Sequence, residues 1–347
     1  MSCFALFLLV ICLSAVLYVA CSGVQPSDDA PMTMGELGAR CPEGLFDASA
    51  FPPATTGDQV RIATLNTEFL FDGLDGDGRA SFDWKDDPAL ATQHMACIAD
   101  VIARLDADVV MMQEVESDDV AYRLVDEFLR GMDYRVYFVQ GKDSFTGQDI
   151  ALIARVPVSN IGRTDERAPV GDTDETYGVS KNLWARATID GIETTLIGLH
   201  FLSRPDDESR KDQREAQAET IRQLVESEIA DGQAVVVLGD FNDFDPIGDR
   251  DGSEPITDVL ARIKSAGPES DDDLINAMSR VPQAQRYSAF YDRNSNDEIE
   301  PDKREFSAID HVLLSPSLAS KIVRVDYVHG YDPRKVTDHF PIVVTLD

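Results

Sequence analysis

The segment from Val235 to Asp243 constrains the fold of this chain more than any other. It reads Val-Val-Val-Leu-Gly-Asp-Phe-Asn-Asp, so four apolar residues run directly into a glycine and then into polar side chains. A short run rich in β-branched residues indicates a strand that is buried on both faces. Carboxylates and amides at the end of such a strand are held on a rigid backbone. The segment is either an ordinary Asp/Asn turn or the centre of a catalytic site.

Polar side chains end three further predicted strands. Alternating or apolar runs terminate at Asn66, Glu114 and His200. An asparagine at a strand end is commonly a turn former, a glutamate there is commonly a surface residue, and a lone histidine is more often structural than catalytic. The repetition of the feature favours the catalytic interpretation.

The apolar run from Ala308 to Leu314 is interrupted by Asp310. A carboxylate inside such a run must be paired or hydrogen-bonded, because burying it bare is costly. Its natural partner is a histidine, and Asp338-His339 stands directly before the predicted final strand. A histidine held by a buried carboxylate is a general base near neutral pH.

Helices alternate with these strands. Three helices are predicted: Pro88 to Leu105, Ser117 to about Arg130, and about Asp207 to Ile229. Asp87 is positioned to cap the first. Asp190-Gly191 predicts a tight hairpin between the strands Leu183–Ile189 and Glu193–Leu199.

The N-terminus predicts export. Phe4 to Ala20 is an apolar run without a charge, followed by Cys21. The interpretations are a secreted or lipoprotein signal, with lipid on Cys21, and an uncleaved membrane anchor. Tyr18 and the lack of a preceding Lys or Arg depart from the lipoprotein pattern. In each case the body lies outside the cytoplasm. Residues 22–57 are predicted to be a flexible tether, after an export signal over residues 1–21 and before a catalytic domain over 58–347.

Two other cysteines remain after such processing, Cys41 and Cys97. An oxidising compartment allows one disulfide between them. The distance between them in the fold does not follow from the sequence.

The formal net charge of −32 restricts the class of partner. Such a surface repels polyanions unless a cation intervenes, so a polyphosphate substrate requires a metal ion. Glu114 with aspartates is a hard-oxygen donor set, suited to Mg²⁺, Mn²⁺ or Ca²⁺. A metal, a base and neutral amide donors together fit the attack of water on a phosphorus ester.

Six motifs resemble the endonuclease/exonuclease/phosphatase superfamily, which includes deoxyribonuclease I-like nucleases, apurinic endonucleases, bacterial sphingomyelinases and inositol polyphosphate 5-phosphatases. In the family's order they are Thr64-Leu65-Asn66, Gln113-Glu114, Leu199-His200, Gly239-Asp240-Phe241-Asn242-Asp243, Ile309-Asp310-His311 and Thr337-Asp338-His339-Phe340-Pro341. The resemblance covers roughly residues 58–347. It implies an α/β fold, a four-layer sandwich of two mixed β-sheets flanked by helices.

The resemblance also implies a metal site. Glu114 binds the divalent ion, Mg²⁺ or Mn²⁺ with Ca²⁺ as an alternative. Asn66, Asp338 and Asp240 lie beside that ion. Asp240 and Asn242 position the attacking water and the scissile phosphate, with Asn66 as a further phosphate ligand.

The remaining implied roles concern protons and phosphate. Asp310 orients His339, which acts as base or phosphate binder. His200 stabilises the transition state or protonates the leaving group. Arg186 contacts phosphate or has a surface role, and Asp149 lies near His200, as an acidic residue does in the deoxyribonuclease branch.

Two acidic segments resemble calcium sites incompletely. Asp72, Asp75 and Asp77 lie among glycines and are predicted to form a solvated loop. Asp292 to Ile299 resembles half of an EF-hand loop, but Asp297 replaces its glycine. A polar hairpin extension is the preferred interpretation.

The substrate class stays open at this point. A secreted or surface-anchored nuclease that hydrolyses phosphodiester bonds is the first hypothesis. The alternatives are a sphingomyelinase-like phospholipid phosphodiesterase, an inositol-phosphate phosphatase and a catalytically silent surface binding protein. A serine hydrolase is disfavoured because the chain has no Gly-x-Ser-x-Gly.

Overall fold

The computed structural model describes residues 40–74 and 78–347. The predicted export signal, Cys21 and most of the predicted tether lie outside the described residues, as do Asp75 and Asp77. In the part that is described, no helix combines the length and apolar character needed to cross a membrane.

Sixteen strands and five α-helices make up the described chain. The strands are β1 Val60–Leu70, β2 Val109–Val115, β3 Arg135–Phe138, β4 Asp149–Ala154, β5 Val158–Gly162, β6 Ala168–Pro169, β7 Thr176–Tyr177, β8 Lys181–Ile189, β9 Ile192–His200, β10 Ala234–Asp240, β11 Ile275–Asn276, β12 Ala289–Phe290, β13 Phe306–Ser307, β14 Asp310–Leu314, β15 Ile322–Tyr327 and β16 Ile342–Leu346. The helices are α1 Pro88–Leu105, α2 Asp118–Arg123, α3 Lys211–Ala230, α4 Val259–Lys264 and α5 Pro316–Ala319.

Two mixed six-stranded sheets form the centre of the fold. Their strand orders are β15-β16-β1-β2-β4-β3 and β11-β14-β10-β9-β8-β5. In the first sheet β1 is parallel to β2 and antiparallel to β16. In the second, β10 is parallel to β9 and antiparallel to β14.

The sheets pack face to face, and helices cover their outer faces. Met111, Ile150, Leu196 and Val236 belong to the core between the sheets. The outer face of the first sheet packs with α1, and that of the second with α3 and α4. The central strands are therefore buried on both sides, which explains their nearly unbroken apolar sequences. The predicted four-layer sandwich is confirmed.

Local signals set the boundaries of several elements as predicted. The Asp87 carboxylate accepts hydrogen bonds from two backbone N–H groups at the start of α1, and the Ser117 hydroxyl caps α2. Asp190 and Gly191 both have positive φ, +48° and +76°, as a tight hairpin turn requires. The Asp292 segment forms the tip between β12 and β13, which pair antiparallel, so the predicted hairpin extension is confirmed.

The packed domain begins earlier than predicted. Cys41 forms a disulfide with Cys97 in α1, which attaches the incoming chain to that helix. Phe51 is buried in the core over the first sheet, with Phe46 against it, and Phe46 also pairs with Tyr331 through a β-bridge. The predicted tether over 22–57 is therefore too long at its C-terminal end, because the disulfide and these aromatic contacts hold residues 41–51 on the domain.

Candidate active site

The strand ends that carry polar side chains meet at one edge of the sandwich. In the second sheet Asp240 lies directly opposite both His200 and Asp310. The amide Nδ2 of Asn66 reaches across from the first sheet and donates to Asp240 Oδ2 at 3.2 Å. The structure thus brings eight predicted site residues together: Asn66, Glu114, His200, Asp240, Asn242, Asp310, Asp338 and His339.

Two irregularities in the first sheet turn acidic side chains toward this edge. The β1–β2 register shifts between Asn66 and Leu70, where Glu68 and Phe69 have φ of +49° and +57°. The β2–β4 register shifts around Glu114, whose φ is +64°. Bulges of this kind re-aim side chains near active sites. Left-handed backbone at residues other than glycine costs about 1–3 kcal/mol each, so the fold is strained where Glu68 and Glu114 emerge.

The loop after β10 has little steric freedom. Gly239 has a φ of +137°, and a Cβ there would lie 2.1 Å from the Leu199 carbonyl oxygen. Asn242 has a φ of +47°; its backbone N–H donates to Asp240 Oδ1 at 2.8 Å and its side-chain amide donates to the Phe201 carbonyl. These contacts leave Asp240 Oδ2 facing Asn66 and the histidines.

Two aspartates and two histidines form one side of the site: Asp240, Asp310, His339 and His200. This group is named here the imidazole half. His339 Nδ1 lies 2.8 Å from Asp310 Oδ2, which also accepts from the Ser288 hydroxyl. His339 Nε2 lies 3.9 Å from Asp240 Oδ2. Burial acts to lower the pKa of His339, but the surrounding aspartates raise it well above 6.5. The surrounding aspartates therefore favour the protonated form of His339.

His200 has the opposite character. Its Nε2 lies 3.5 Å from Asp240 Oδ2 and 3.8 Å from Glu114 Oε1. Its buried Nδ1 has no hydrogen-bond partner within residues 40–74 and 78–347. Burial, together with the positive charges of Lys181 and His339, holds the pKa of His200 well below 6.5. His200 is a neutral imidazole.

Three carboxylates form the other side, the carboxylate half: Glu68, Glu114 and Asp338. Glu68 accepts from the Asp338 N–H at 3.1 Å, and Glu114 accepts from the Phe69 N–H at 3.0 Å. Burial, with the charges of Asp338 and Glu114, raises the pKa of Glu68 to about 9. Burial also raises the pKa of Glu114.

Glu68 did not emerge as a site residue from the sequence. The signal was its spacing, because Asn66 and Glu68 are two residues apart in β1 and residues i and i+2 of a regular strand share a face. The bulge between Asn66 and Leu70 breaks that regular alternation, however. Because the bulge is not visible in the sequence, the direction of the Glu68 side chain could not be deduced.

The donors of the carboxylate half fit a hard divalent cation. They are all oxygen atoms, as Mg²⁺, Mn²⁺ and Ca²⁺ require. Burial and the neighbouring carboxylates raise their pKa values, and a cation would offset both effects. Among the described residues, the group of three whose candidate ligand atoms lie within 4.8 Å of one another is Asp240, Asp310 and His339, and Asp310 and His339 Nδ1 already bind each other.

Arg186 does not reach the site. It lies in the middle of β8, where its guanidinium binds Glu228 through two hydrogen bonds and Asp231 through a third, at 3.0–3.1 Å. The predicted phosphate contact is therefore wrong, because two carboxylates on and beyond α3 already occupy the donors. Asp149 binds Gln140 at 2.6 Å, and no hydrogen bond joins it to His200 in the described chain.

Comparisons with known proteins agree with this architecture. The model of the Endonuclease/Exonuclease/phosphatase family matches residues 63–339. No curated protein matches the chain.

Solved structures with a similar fold share 16% identity with it. TDP2 of D. rerio complexed with a single-strand DNA product has a TM-score of 0.51 over 84% of this chain and 100% of that chain. The 3′ phosphatase NExo from Neisseria, bound to a product DNA hairpin, has a TM-score of 0.53 over 83% and 99%. The human Nocturnin catalytic domain, with bound sulfate, has a TM-score of 0.54 over 85% and 96%.

Proposed function

Since the chain belongs to the endonuclease/exonuclease/phosphatase family, we propose that it is a divalent-metal-dependent phosphodiesterase acting on nucleic acid. The proposal rests on one observation: the carboxylate half and the imidazole half lie together at one edge of the sandwich. Similar folds bound to DNA products, in NExo and TDP2, support nucleic acid as the substrate class.

Glu68, Glu114 and Asp338 would hold the cation, which neutralises charge on the phosphate and polarises its oxygens. Asp240 accepts the proton of the attacking water. Burial and the neighbouring Asp310 raise the pKa of Asp240 to about 7, which is near the optimum for a general base. The Asn242 N–H fixes one of its oxygens and leaves the other to face the water.

The two histidines act on the phosphate. His339, charged at neutral pH, binds a phosphate oxygen through Nε2 and protonates the leaving oxygen as its bond to phosphorus breaks. The family resemblance allows His339 to be either the base or a phosphate binder. Its raised pKa favours phosphate binding, and the role of base is left to Asp240. His200, which is neutral, donates from Nε2 to the charge that develops in the transition state.

The test is hydrolysis of bis(p-nitrophenyl) phosphate, DNA, RNA and sphingomyelin with Mg²⁺ and with a chelator. We expect chelator-sensitive turnover of DNA or RNA, and its near-complete loss in Asp240→Ala. Asp165→Asn, which changes an exposed carboxylate outside the site, is the matched control. A folded protein with no metal-dependent activity on any of these esters would refute the proposal, and preference for sphingomyelin would redirect it to phospholipids.

The protein acts outside the cytoplasm in this proposal. The predicted signal over residues 1–21 and the Cys41–Cys97 disulfide support this location, because structural disulfides persist in oxidising compartments. Cell fractionation tests it, and Cys21→Ser tests lipidation. Labelling of cells with a tagged fatty acid should mark the wild type and not the Cys21→Ser variant if Cys21 carries lipid.

A further inference from the structure

A groove leads from the carboxylate half toward the disulfide, and the mechanism above does not use it. It consists of two adjoining cavities of about 330 and 510 Å³. Glu68 lines the smaller cavity, and Cys97 lines the larger. The two cavities share the lining residues Asp83, Trp84, His94 and Lys335. Binding sites for small molecules occupy about 300–1,000 Å³, so the groove has room for a substrate group beside the reacting phosphate.

Four rings form a row along this groove: Phe69, Phe82, Trp84 and His94. This group is named here the aromatic row. Successive ring centroids lie 4.5, 4.9 and 4.6 Å apart. Phe82, Trp84 and His94 line the smaller cavity, and the first two are only partly buried. Unpaired nucleobases stack on aromatic side chains of this kind, because every base has a π-face.

The aromatic row is fixed to the backbone that holds a proposed cation ligand. Trp84 Nε1 donates to the Phe69 carbonyl at 2.9 Å, and the Phe69 N–H donates to Glu114 Oε2 at 3.0 Å. His94 stacks on the indole with an interplanar angle of 21°, and its Nε2 lies 2.8 Å from the Thr67 carbonyl oxygen. The rings are therefore preorganised relative to Glu114, which reduces the entropy cost of binding a ligand there.

Lys335 supplies a positive charge where the two cavities join. Its side chain is 57% exposed, and its Nζ lies 3.9 Å from Asp332 Oδ2. The ammonium makes no hydrogen bond to any residue that the structure describes. Neighbouring Arg334, in contrast, donates to the Asp332 carboxylate and to the Asp297 carbonyl. Lys335 is thus available to a phosphate that enters the groove.

We propose that the groove binds an unpaired nucleotide next to the scissile phosphate, with its base on the aromatic row and its outer phosphate at Lys335. The inference rests on the proposed function and names single-stranded nucleic acid as the form of the substrate, because neighbouring bases cover both faces of a base in a duplex. Ser81 and Asp83 also line the smaller cavity. Their polar groups find partners on a base but none on the acyl chain of a phospholipid, which favours the nucleotide.

The experiment measures Mg²⁺-dependent cleavage of single-stranded oligonucleotides that have one cleavable linkage. An abasic residue replaces the nucleotide on the 5′ or the 3′ side of that linkage. On the intact strand, Phe82→Ala should lower kcat/KM about 10- to 100-fold, because it removes a stacking surface. On one of the two abasic strands it should change little, since no base is left to stack. Phe82→Tyr should retain the wild-type rate.

The matched control is Tyr122→Ala, which removes a 48% exposed ring in α2 that lines neither cavity. It should match the wild type on every strand. Lys335→Gln should lower the salt dependence of KM by about one phosphate contact.

A structural role for Phe82 predicts a different pattern. Equal losses on the intact strand and on both abasic strands would overturn the inference, and so would an unchanged rate in Phe82→Ala. Cleavage of sphingomyelin vesicles in preference to every oligonucleotide, with the same dependence on Phe82, would also overturn it and assign the groove to an acyl chain. If Phe82→Ala does not fold, Phe82→Leu is measured in the same way.

Fluorescence tests the groove without turnover. The chain has two tryptophans, Trp84 and Trp184, so Trp184→Phe leaves the indole of the aromatic row as the only one. A base stacked on the row should quench its emission. We expect saturable quenching by a strand with a non-cleavable phosphonate linkage in the presence of Mg²⁺, and at least 10-fold weaker binding after Phe82→Ala.

The proposed function and this inference therefore fail separately. Saturable quenching in a protein that cleaves no phosphodiester would leave the groove as a nucleotide site while the proposed function fails. Absence of quenching by a strand whose cleavable form the wild type hydrolyses would overturn the inference alone.

Discussion

The imidazole half and the carboxylate half of the site are both sheltered by the fold, but only the imidazole half contains side chains that can carry a positive charge. In the imidazole half, His339 and Asp310 form a hydrogen-bonded pair, and the imidazolium offsets the charge of the acid. In the carboxylate half, burial raises the pKa values of Glu68, Glu114 and Asp338, and the charge of Asp338 adds to the rise at both glutamates. The first half is preorganised by the chain itself, whereas in the proposed function a cation from solution completes the second.

The same contrast appears within the imidazole half. His339 and His200 lie 3.9 and 3.5 Å from the same oxygen of Asp240. The aspartates around His339 raise its pKa, whereas burial and nearby positive charges lower the pKa of His200, whose Nδ1 has no hydrogen-bond partner in the described chain. The environment of the second ring nitrogen thus separates two chemically identical side chains into different roles.

The largest expected effect comes from removing the charged histidine. His339→Ala should lower kcat by about 10³-fold or more, because it removes the group proposed to bind the phosphate and to protonate the leaving oxygen. Asp310→Asn should cost nearly as much, since it deprives His339 of the acid that keeps it protonated. The measurement is single-turnover cleavage with Mg²⁺. A His339→Ala enzyme that keeps a tenth of the wild-type rate would contradict the role.

A smaller effect is expected at His200, and it differs in kind. His200→Ala should lower kcat about 10²-fold, and His200→Gln should recover part of that loss because a neutral amide also donates. His339→Gln should recover nothing, because that position requires a charge. The same single-turnover assay gives both comparisons. Equal rescue by glutamine at the two positions would show that the histidines share one charge state.

Strand-end chemistry was predictable from the sequence because it depends on local pattern. Short apolar runs that stop at Asp240, Asn66 and His200 identify both the sheet and the edge where the side chains collect. The pairing of Asp310 with a histidine followed from the cost of burying a bare carboxylate.

Strand register and bulges could not be predicted from the local sequence pattern. Glu68 turns into the site only because β1 slips against β2. Arg186 was misassigned because its partners are Glu228 in α3 and Asp231 just after that helix. The packing of α3 over β8 is set by the tertiary structure and cannot be seen in the sequence.

The incompleteness of the carboxylate half predicts metal-dependent stability. Mg²⁺ at about 100 times its Kd should stabilise the fold by about 2.7 kcal/mol, which thermal unfolding detects as a rise in Tm. Glu114→Gln should abolish most of that rise. Asp310→Asn, in the imidazole half, should retain it. A Mg²⁺ effect that survives in Glu114→Gln would move the cation to another place.

The smallest effect is the pH dependence of the metal-free protein. Glu68 releases its proton near pH 4.5 when unfolded but near pH 9 when folded, so the folded state binds more protons between these values. Stability from this group is complete below about pH 4.5 and is lost as the pH rises toward 9.

Buried His94, whose pKa burial lowers to about 4, acts in the opposite direction between pH 4 and 6.5, so the decline is clearest above pH 6.5. Urea unfolding at pH 7 and pH 9 with a chelator should show this decline, and Glu68→Gln should reduce its slope without removing it, because Asp240 and His339, whose pKa values are also raised, act in the same direction. Because Mg²⁺ replaces the proton, its stabilisation should grow over the same interval, and a metal effect independent of pH would separate Glu68 from the cation site.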